Sequence, residues 1–296
     1  IIVMAILILP FLRVGGMQLF HTENSDRSEK ITPRAFELTV SIAGVYVCMF
    51  VVCAIVYALL GMSVFDAVCH ALSTVSTAGF STHDESFGFF RSPSLEWVCV
   101  LFMILGALPF VVYIKTLHGD RFAIWRDSQV QGFLSFIAVV SLTLAVWLTA
   151  TRDVSIAEAV RMATFSVVSI VTTTGFAVED YTTWGTFSVG LFFLLKFVGG
   201  CSGSTTGGIK IYRLQVASML TRTHFLPLMT RSGVVPLMYS GRRLPPDVPF
   251  SVVAFLAIYL ATVGFFTVLL AALGLDFVTA LTAATQAVGN VGPGLG

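Results

Sequence analysis

Charged residues are scarce in this chain. Only 11% of its 296 residues are Asp, Glu, Lys or Arg, whereas 56% are apolar and the mean hydropathy is +0.90. A soluble domain carries roughly 25% charged residues, so this composition argues against a soluble protein. Several apolar runs reach about 18 residues or more, the length at which a helix crosses a bilayer. The sequence therefore predicts an all-α polytopic membrane protein.

Paired cysteines and metal-binding motifs are also missing. The five cysteines show no C-x-x-C spacing and no pairing with histidine, and we interpret them as small buried side chains. His70 and His83 stand alone, and packing or hydrogen bonding near the outer mouth explains them better than a metal site. Neither an initiator Met nor a signal peptide pattern begins the chain, and we expect a fragment truncated at both ends.

Apolar segments of two lengths alternate along the chain. Those predicted to span the membrane, or to belong to a spanning helix, are residues 1–12, 35–60, 95–115, 130–150, 184–199 with a continuation over 208–222, and 249–273. Those too short or too polar to span are residues 65–82, 157–178 and 276–296.

Basic residues define the orientation of these segments. Loops 13–34, 115–130 and 209–247 contain 13 of the 17 Lys and Arg residues, which places them in the cytoplasm by the positive-inside rule. Because two spans must separate successive cytoplasmic loops, segments 65–82 and 157–178 have to enter from the outside and return. The outer side is acidic, which either attracts cations or follows from the same charge bias.

The short segments begin with similar capping patterns. Ser63-x-x-Asp66 and Ser155-x-x-Glu158 predict an N-cap Ser followed by an acid in the first turn, and Asp276 predicts an N-cap by itself. Each acid complements the positive end of its helix dipole. The three opposite, partly negative helix ends would then point at one place in the membrane, where a cation is favoured.

A turn with glycine follows each short helix: "STAGF", "TTTGF" and "GNVGPG". The distance from cap to glycine is 16 residues in the first and third copies and 20 in the second, an excess of about one helical turn. Such turns can simply end buried helices, but three re-entrant copies favour a filter whose backbone carbonyls replace the water shell of an ion. The predicted filter residues are Ser76, Thr77, Ala78, Gly79, Thr172, Thr173, Thr174, Gly175, Asn290, Val291 and Gly292.

The segment "GGCSGSTTGGIK" resembles either a phosphate-binding loop or a break in a membrane helix. A phosphate-binding loop requires G-x-x-x-x-G-K-[ST] after a strand. Gly203 and Gly208 have the required separation, but Ile209 occupies the lysine position and no strand precedes. We therefore predict a helix break, in which small residues let the backbone turn and Ser or Thr hydroxyls satisfy the freed peptide groups. Lys210 would mark the cytoplasmic membrane boundary.

Two charged residues fall within predicted membrane segments. Lys196 is expected at about the middle of the membrane, where a charge is costly, and it either has a structural or gating partner or snorkels to the periphery. Arg161 lies three residues after Glu158 and could pair with it locally.

The motifs "HALSTVSTAGFSTHD", "SVVSIVTTTGF", "GGCSGSTTGGIK" and "AVGNVGPGLG" together resemble the TrkH/KtrB/HKT superfamily of potassium transporters, and most closely its TrkH branch. The resemblance implies tandem helix–pore-helix–helix repeats around one pore. It divides the chain into the end of a first repeat and a cytoplasmic loop (1–30), a second repeat (31–128), a third (129–245) and a truncated fourth (246–296). Without the first filter turn and the last helix, this stretch should not conduct by itself.

The same resemblance implies potassium uptake across a bacterial inner membrane, with Gly79, Gly175 and Gly292 as three of four filter glycines. It implies a homodimer on a cytoplasmic TrkA-type ring of nucleotide-binding subunits, partly contacted by loop 209–247, with no enzyme activity, organic cofactor or nucleic acid partner. A secondary transporter that couples potassium or sodium to another cation is the alternative, although parallel rather than inverted units favour a channel-like ring. The implied gate loop consists of Gly199, Gly200, Cys201, Ser202, Gly203, Ser204, Thr205, Thr206, Gly207 and Gly208.

Overall fold

The structure, a computed structural model, describes residues 35–229, 238–240, 242–245 and 247–292. The predicted first-repeat segment 1–30 lies outside these residues, as do parts of the predicted cytoplasmic loop 209–247 and the last four residues. Within the described ranges the chain is helical, apart from one hairpin of two-residue strands.

Two stretches of the chain share one order of elements: long helix, short helix, interrupted helix. The first contains α1 (Ala35–Leu59), α2 (Val64–Val75), a 3-10 helix (Ser86–Phe90), α3 (Pro93–Ala107) and α4 (Phe110–Leu117). After the short α5 (Ala123–Arg126), the second contains α6 (Ser128–Thr151), α7 (Ile156–Val171), a 3-10 helix (Tyr181–Trp184), α8 (Thr186–Leu195) and α9 (Ile211–Met229). The hairpin of β1 (Met238–Tyr239) and β2 (Arg242–Arg243) precedes α10 (Asp247–Ala272) and α11 (Phe277–Gly289).

Three of these helices are long and apolar enough to cross a membrane: α1 from Thr39, α6 and α10. They confirm the spans predicted over residues 35–60, 130–150 and 249–273. Over the predicted span 95–115 the chain forms two helices, α3 and α4, which together are long and apolar enough for one span but meet at an angle of 89°. Pro109 explains the bend: its ring blocks a continuing helix and it has no amide hydrogen to donate.

The short helices α2, α7 and α11 begin at side-chain caps. The side-chain oxygens of Ser63, Ser155 and Asp276 accept hydrogen bonds from the amide three residues later, at 3.1, 3.3 and 3.1 Å. Hydrogen bonds from Thr279 also lower the pKa of Asp276. Helix α7 has 16 residues against 12 in α2, so the four extra residues form one additional helical turn.

Each long helix packs against the short helix that follows it, and α3 also packs against α7. The contacts between α3 and α7 join the first stretch to the second. The main core contains fully buried aromatic side chains from both, including Tyr57, Phe87, Phe133 and Phe165. The outer faces of the spanning helices instead expose large apolar residues such as Val146 and Phe265, as lipid-facing helices do.

Candidate functional site

The C-terminal ends of α2, α7 and α11 share one backbone conformation. Each is followed by a residue with positive φ: Thr77 (51°), Thr173 (57°) and Asn290 (58°). An amide further along then bonds back to a carbonyl of the helix, from Ala78 to Ser73, from Thr174 to Ser169 and from Val291 to Gln286, at 2.8 to 2.9 Å. This is the left-handed motif that commonly ends helices.

Threonine is an unusual residue at two of these positions. A β-branched side chain at positive φ is a conformational outlier that costs about 1–3 kcal/mol, and such strain concentrates at functional sites. Two residues later φ is positive again, at Gly79 (73°) and Gly175 (87°). In an ordinary β-strand successive residues point to opposite sides. Positive φ at alternate residues means that these turns do not follow that alternation.

The three turns meet at their glycines. A Cβ added to Gly79 would lie 1.8 Å from the carbonyl oxygen of Thr174, and a Cβ added to Gly292 would lie 3.2 Å from both Cα and carbonyl oxygen of Gly175. No side chain fits at Gly79 without displacing the neighbouring backbone. The structure thus brings the predicted residues of all three turns together, although they lie far apart in the sequence.

Hydroxyl groups of Ser and Thr bond the turns mainly to the helices that precede them. Ser76 donates to the carbonyl of Leu72 at 2.7 Å, and Thr172 donates to Val168 at 2.7 Å. Ser169, which the sequence analysis did not single out, donates to the carbonyl of Phe176 at 2.6 Å and so ties the end of the turn to α7. Residues 172–174 are fully buried.

The break between α8 and α9 lies against the ends of all three short helices. Thr205 Oγ1 donates to the carbonyl of Val75 in α2 at 3.2 Å, and the amide of Gly207 donates to Thr173 Oγ1 at 2.7 Å. A Cβ on Gly207 would lie 2.4 Å from the carbonyl oxygen of Gly289 in α11. The predicted gate residues therefore contact the same three helix ends that carry the turns.

The break also binds to the bend between α3 and α4, a contact that the sequence analysis missed. The amide of Cys201 donates to Ala107 at 2.9 Å, and the amide of Thr205 donates to Gly106 at 3.3 Å. In return the amide of Phe110 donates to Gly203 at 3.0 Å. In a continuous helix Gly106 would accept from Phe110, so the bend supplies free peptide groups to the break. Pro109 within an apolar run was the available signal.

Two lysines border the break. Lys196 is fully buried, which excludes snorkelling, and its ammonium has no hydrogen-bond partner among the residues that the structure describes. Lys210, predicted at the cytoplasmic membrane boundary, is only 3% exposed, and its ammonium donates back to the carbonyl of Thr206. Lys210, at the end of the break, thus bonds to Thr206 within the break.

Polar side chains connect the break to the hairpin. Gln129, at the start of α6, accepts a hydrogen bond from the amide of Ser202 at 3.0 Å. Its neighbour Ser128 accepts at its carbonyl from Gln215 Nε2 of α9 at 2.9 Å, and Gln215 Oε1 accepts from the hydroxyl of Tyr239 at 2.8 Å. These long-range contacts had no signal in the sequence.

On the opposite, acidic side, Arg161 pairs mainly with a residue that the sequence analysis did not consider. Its Nη1 lies 2.6 Å from Glu96 Oε1, whereas its Nη2 lies 3.8 Å from Glu158, the predicted local partner. His70 is fully buried, with Nδ1 2.9 Å from the carbonyl oxygen of Asp66 and Nε2 3.0 Å from Ser81 Oγ. Packing and hydrogen bonds therefore account for this histidine.

Comparison with known proteins gives one consistent family. A family model described as "TrkH: Cation transport protein" matches residues 1–296. The Trk system potassium uptake protein TrkI of Halomonas elongata is 48% identical over 297 residues, a match that covers 100% of this chain and 60% of that protein. The Trk system potassium uptake protein TrkH of Escherichia coli is 32% identical over 301 residues, covering 100% of this chain and 62% of that protein.

The crystal structure of the potassium transporter TrkH from Vibrio parahaemolyticus has the same fold. Its TM-score is 0.87 at 30% identity, and the match covers 100% of this chain and 61% of that one. The chain thus spans about three fifths of the length of these relatives. Transporters of this family are multi-pass inner-membrane proteins, which agrees with the apolar helices described above. The chain belongs to the TrkH family of cation transport proteins.

Proposed function

We propose that this chain forms most of a potassium uptake pathway in the inner membrane. The observation that carries the proposal is the meeting of three strained glycine turns, at the ends of α2, α7 and α11, directly against a helix break. The relatives named as Trk system potassium uptake proteins support potassium as the transported ion. The ion is cargo, and the proposed pathway requires neither covalent chemistry nor an organic cofactor.

In this proposal the turns 76–79, 172–175 and 290–292 form three sides of a selectivity filter. Backbone carbonyls that point inward replace the water shell of the ion, and the buried hydroxyls behind them fix their positions. The C-terminal ends of three short helices add partial negative charge at the same place. The family resemblance implies a ring of four such turns, and these three would form three of its sides.

The break 199–208 acts as the gate in this proposal. It contacts all three helix ends and the bend at Pro109, so an ion that leaves the filter toward the cytoplasm meets it first. Its hydrogen bonds are individually weak, about 0.5–1.5 kcal/mol each, so a modest movement of the surrounding helices can release it.

The cytoplasmic end of the pathway is the proposed contact with a TrkA-type nucleotide-binding ring, in a homodimeric assembly. Among the basic residues of segment 209–247 whose side chains the structure describes, Lys210 donates to Thr206 and Arg213 lies over the ring of Phe255 at 3.9 Å. Arg222 is exposed and remains the described basic residue best placed for a partner. Symport with another cation is the second candidate for the transport mode, supported only by the general occurrence of broken helices in transporters.

Rubidium uptake tests the proposed filter. The longest open reading frame that contains this sequence would be expressed in cells that lack potassium uptake systems, as wild type and as Gly175→Ser. Because φ at Gly175 is 87°, a side chain there strains the turn, and we expect loss of discrimination between rubidium and sodium. The matched control is Gly190→Ser in α8, where a Cβ would meet nothing within 4 Å.

Wild-type discrimination in Gly175→Ser would overturn the filter assignment. Absence of rubidium uptake by the wild type, with the protein present in the membrane, would overturn the proposed transport itself.

A further inference from the structure

A buried ion pair joins the first stretch of the chain to the second. Arg161 Nη1 lies 2.6 Å from Oε1 and 2.5 Å from Oε2 of Glu96. The side chain of Glu96 is 4% exposed and that of Arg161 is 18% exposed. Glu96 lies in the first turn of α3 and Arg161 in α7, the short helix that the turn Thr172–Gly175 follows.

Backbone contacts reinforce this junction beyond the ion pair. The amide of Gly88 donates to the carbonyl of Ala177 at 3.0 Å, and the amide of Ala177 donates to Ser86 Oγ at 3.2 Å. A Cβ on Gly88 would lie 2.6 Å from the carbonyl oxygen of Val178, so the two backbones are in direct contact. The 3-10 helix of the first stretch therefore holds the segment that follows Gly175.

Stability alone is a weak explanation for such a pair. Removing two charges from water costs about as much as their attraction returns, and a well-packed apolar pair would often serve equally well. A charge-assisted hydrogen bond is, however, short and directional, and here the single nitrogen Nη1 of Arg161 lies against both carboxylate oxygens of Glu96. Here it fixes α7, the helix that carries the turn 172–175, relative to α3, and Thr174 of that turn leaves no space for a Cβ on Gly79.

We infer that Glu96 and Arg161 are positioning residues that set the separation between the turns at Gly79 and Gly175, and thereby the discrimination between cations. The inference rests on the proposed function, because it assigns these residues to the filter proposed there. Neither residue contacts the turns directly, and both act through the helices that carry them.

The test compares this pair with an exposed pair on the same outer cavity. That cavity, of about 650 Å³, is lined by Glu96 and Arg161 and also by Glu85 and Arg91. Glu85 and Arg91 are 3.9 Å apart, with side chains 65% and 82% exposed. The variants are Glu96→Gln, Arg161→Gln, Arg161→Lys and the double Glu96→Gln/Arg161→Gln, matched by Glu85→Gln, Arg91→Gln and their double.

Each variant would be made in the open reading frame used above. Abundance in the membrane, the apparent KM and maximal rate of rubidium uptake, and inhibition of that uptake by sodium would be measured. We expect each single substitution in the buried pair to change the rubidium-to-sodium preference by about tenfold or more, since Arg161→Gln leaves Glu96 without this partner and Glu96→Gln leaves Arg161 only the more distant Glu158, 3.8 Å away. Arg161→Lys should retain part of the preference, and the exposed pair should change it by less than about twofold.

The double variant separates positioning from folding. It removes both charges of the pair, so its abundance should recover, whereas the loss of cation preference should persist because the ion pair no longer fixes α7 against α3. Recovery of the preference together with abundance would overturn the inference, as would single variants that lose abundance but keep wild-type preference. Wild-type protein that is present but takes up no rubidium would instead overturn the proposed function.

Discussion

Each of the two stretches contains one interrupted helix, but the two interruptions differ in kind. Between α3 and α4 it is the dipeptide Leu108–Pro109, which turns the chain by 89°. Between α8 and α9 it is the segment 196–210, with five glycines and four Ser or Thr residues among positions 199–208. The short interruption needs only a residue without an amide hydrogen, which is Pro109. The long interruption needs glycines at positive φ, such as Gly203 and Gly208.

The difference teaches how a membrane protein satisfies the peptide groups that a break releases. In hydrocarbon each of them must find a partner within the protein. The short interruption satisfies only part of its own peptide groups. The carbonyl of Leu105 accepts from the amide of Leu108 at 3.3 Å and from the hydroxyl of Tyr113 at 2.6 Å, while Gly106 and Ala107 accept from the long interruption. The two breaks therefore complete each other, and changes in either should affect the same gate.

The largest effect is expected from removing the long interruption. Deletion of Gly200–Gly207 would join Gly199 to Gly208, which is feasible because Gly199 Cα lies 3.0 Å from the position of a Cβ on Gly208. Several hydrogen bonds to the helix ends disappear together, so we expect basal rubidium uptake to rise by about tenfold or more. Unchanged uptake by protein of normal abundance would contradict the role of this segment as a gate.

A smaller effect is expected from the residue that joins the two interruptions. Thr205 Oγ1 donates to Val75 and lies 3.1 Å from the carbonyl oxygen of Gly106. Thr205→Ala removes these contacts, worth about 1 kcal/mol, and should raise basal uptake by about fivefold. Thr205→Ser keeps the hydroxyl and is the matched control. Equal uptake in both variants would show that the hydroxyl does not hold the gate.

The smallest effect is expected from the short interruption itself. Pro109→Ala restores an amide hydrogen that competes for Leu105 and allows the helix to continue. Straightening withdraws Gly106, Ala107 and Phe110 from the long interruption, and we expect an increase in basal uptake of about twofold to threefold. Pro93→Ala is the control, because Pro93 occupies the first turn of α3, where proline is tolerated. If basal uptake were the same in Pro109→Ala and Pro93→Ala, the short interruption would not contribute to holding the gate.

Sequence patterns with local causes predicted their elements well. Length and apolarity predicted the spans α1, α6 and α10, because a helix satisfies its own backbone in lipid regardless of its neighbours. Ser63, Ser155 and Asp276 were identified as caps because a capping bond reaches only three residues. Gly79 and Gly175 were singled out because positive φ strongly favours glycine.

Patterns with distant causes were missed or misread. Arg161 does lie 3.8 Å from its predicted local partner Glu158, but the closer partner Glu96, which the packing of α3 on α7 brings to it, was missed. Thr77 and Thr173 adopt positive φ against their local preference because the surrounding helix ends enforce it. The bend at Pro109 could have been suspected, but its function as the acceptor for another break depends on a contact across the fold.

The sequence by itself thus determined that this chain is a membrane protein of repeated helical units, each with a glycine turn after its short helix. Composition, period and capping are properties of short segments, and they act wherever those segments lie. The tertiary structure alone decided that three such turns meet at one place, that the break after α8 lies against them, and that Lys196 is buried. These outcomes depend on packing between elements far apart in the chain, which no local pattern specifies.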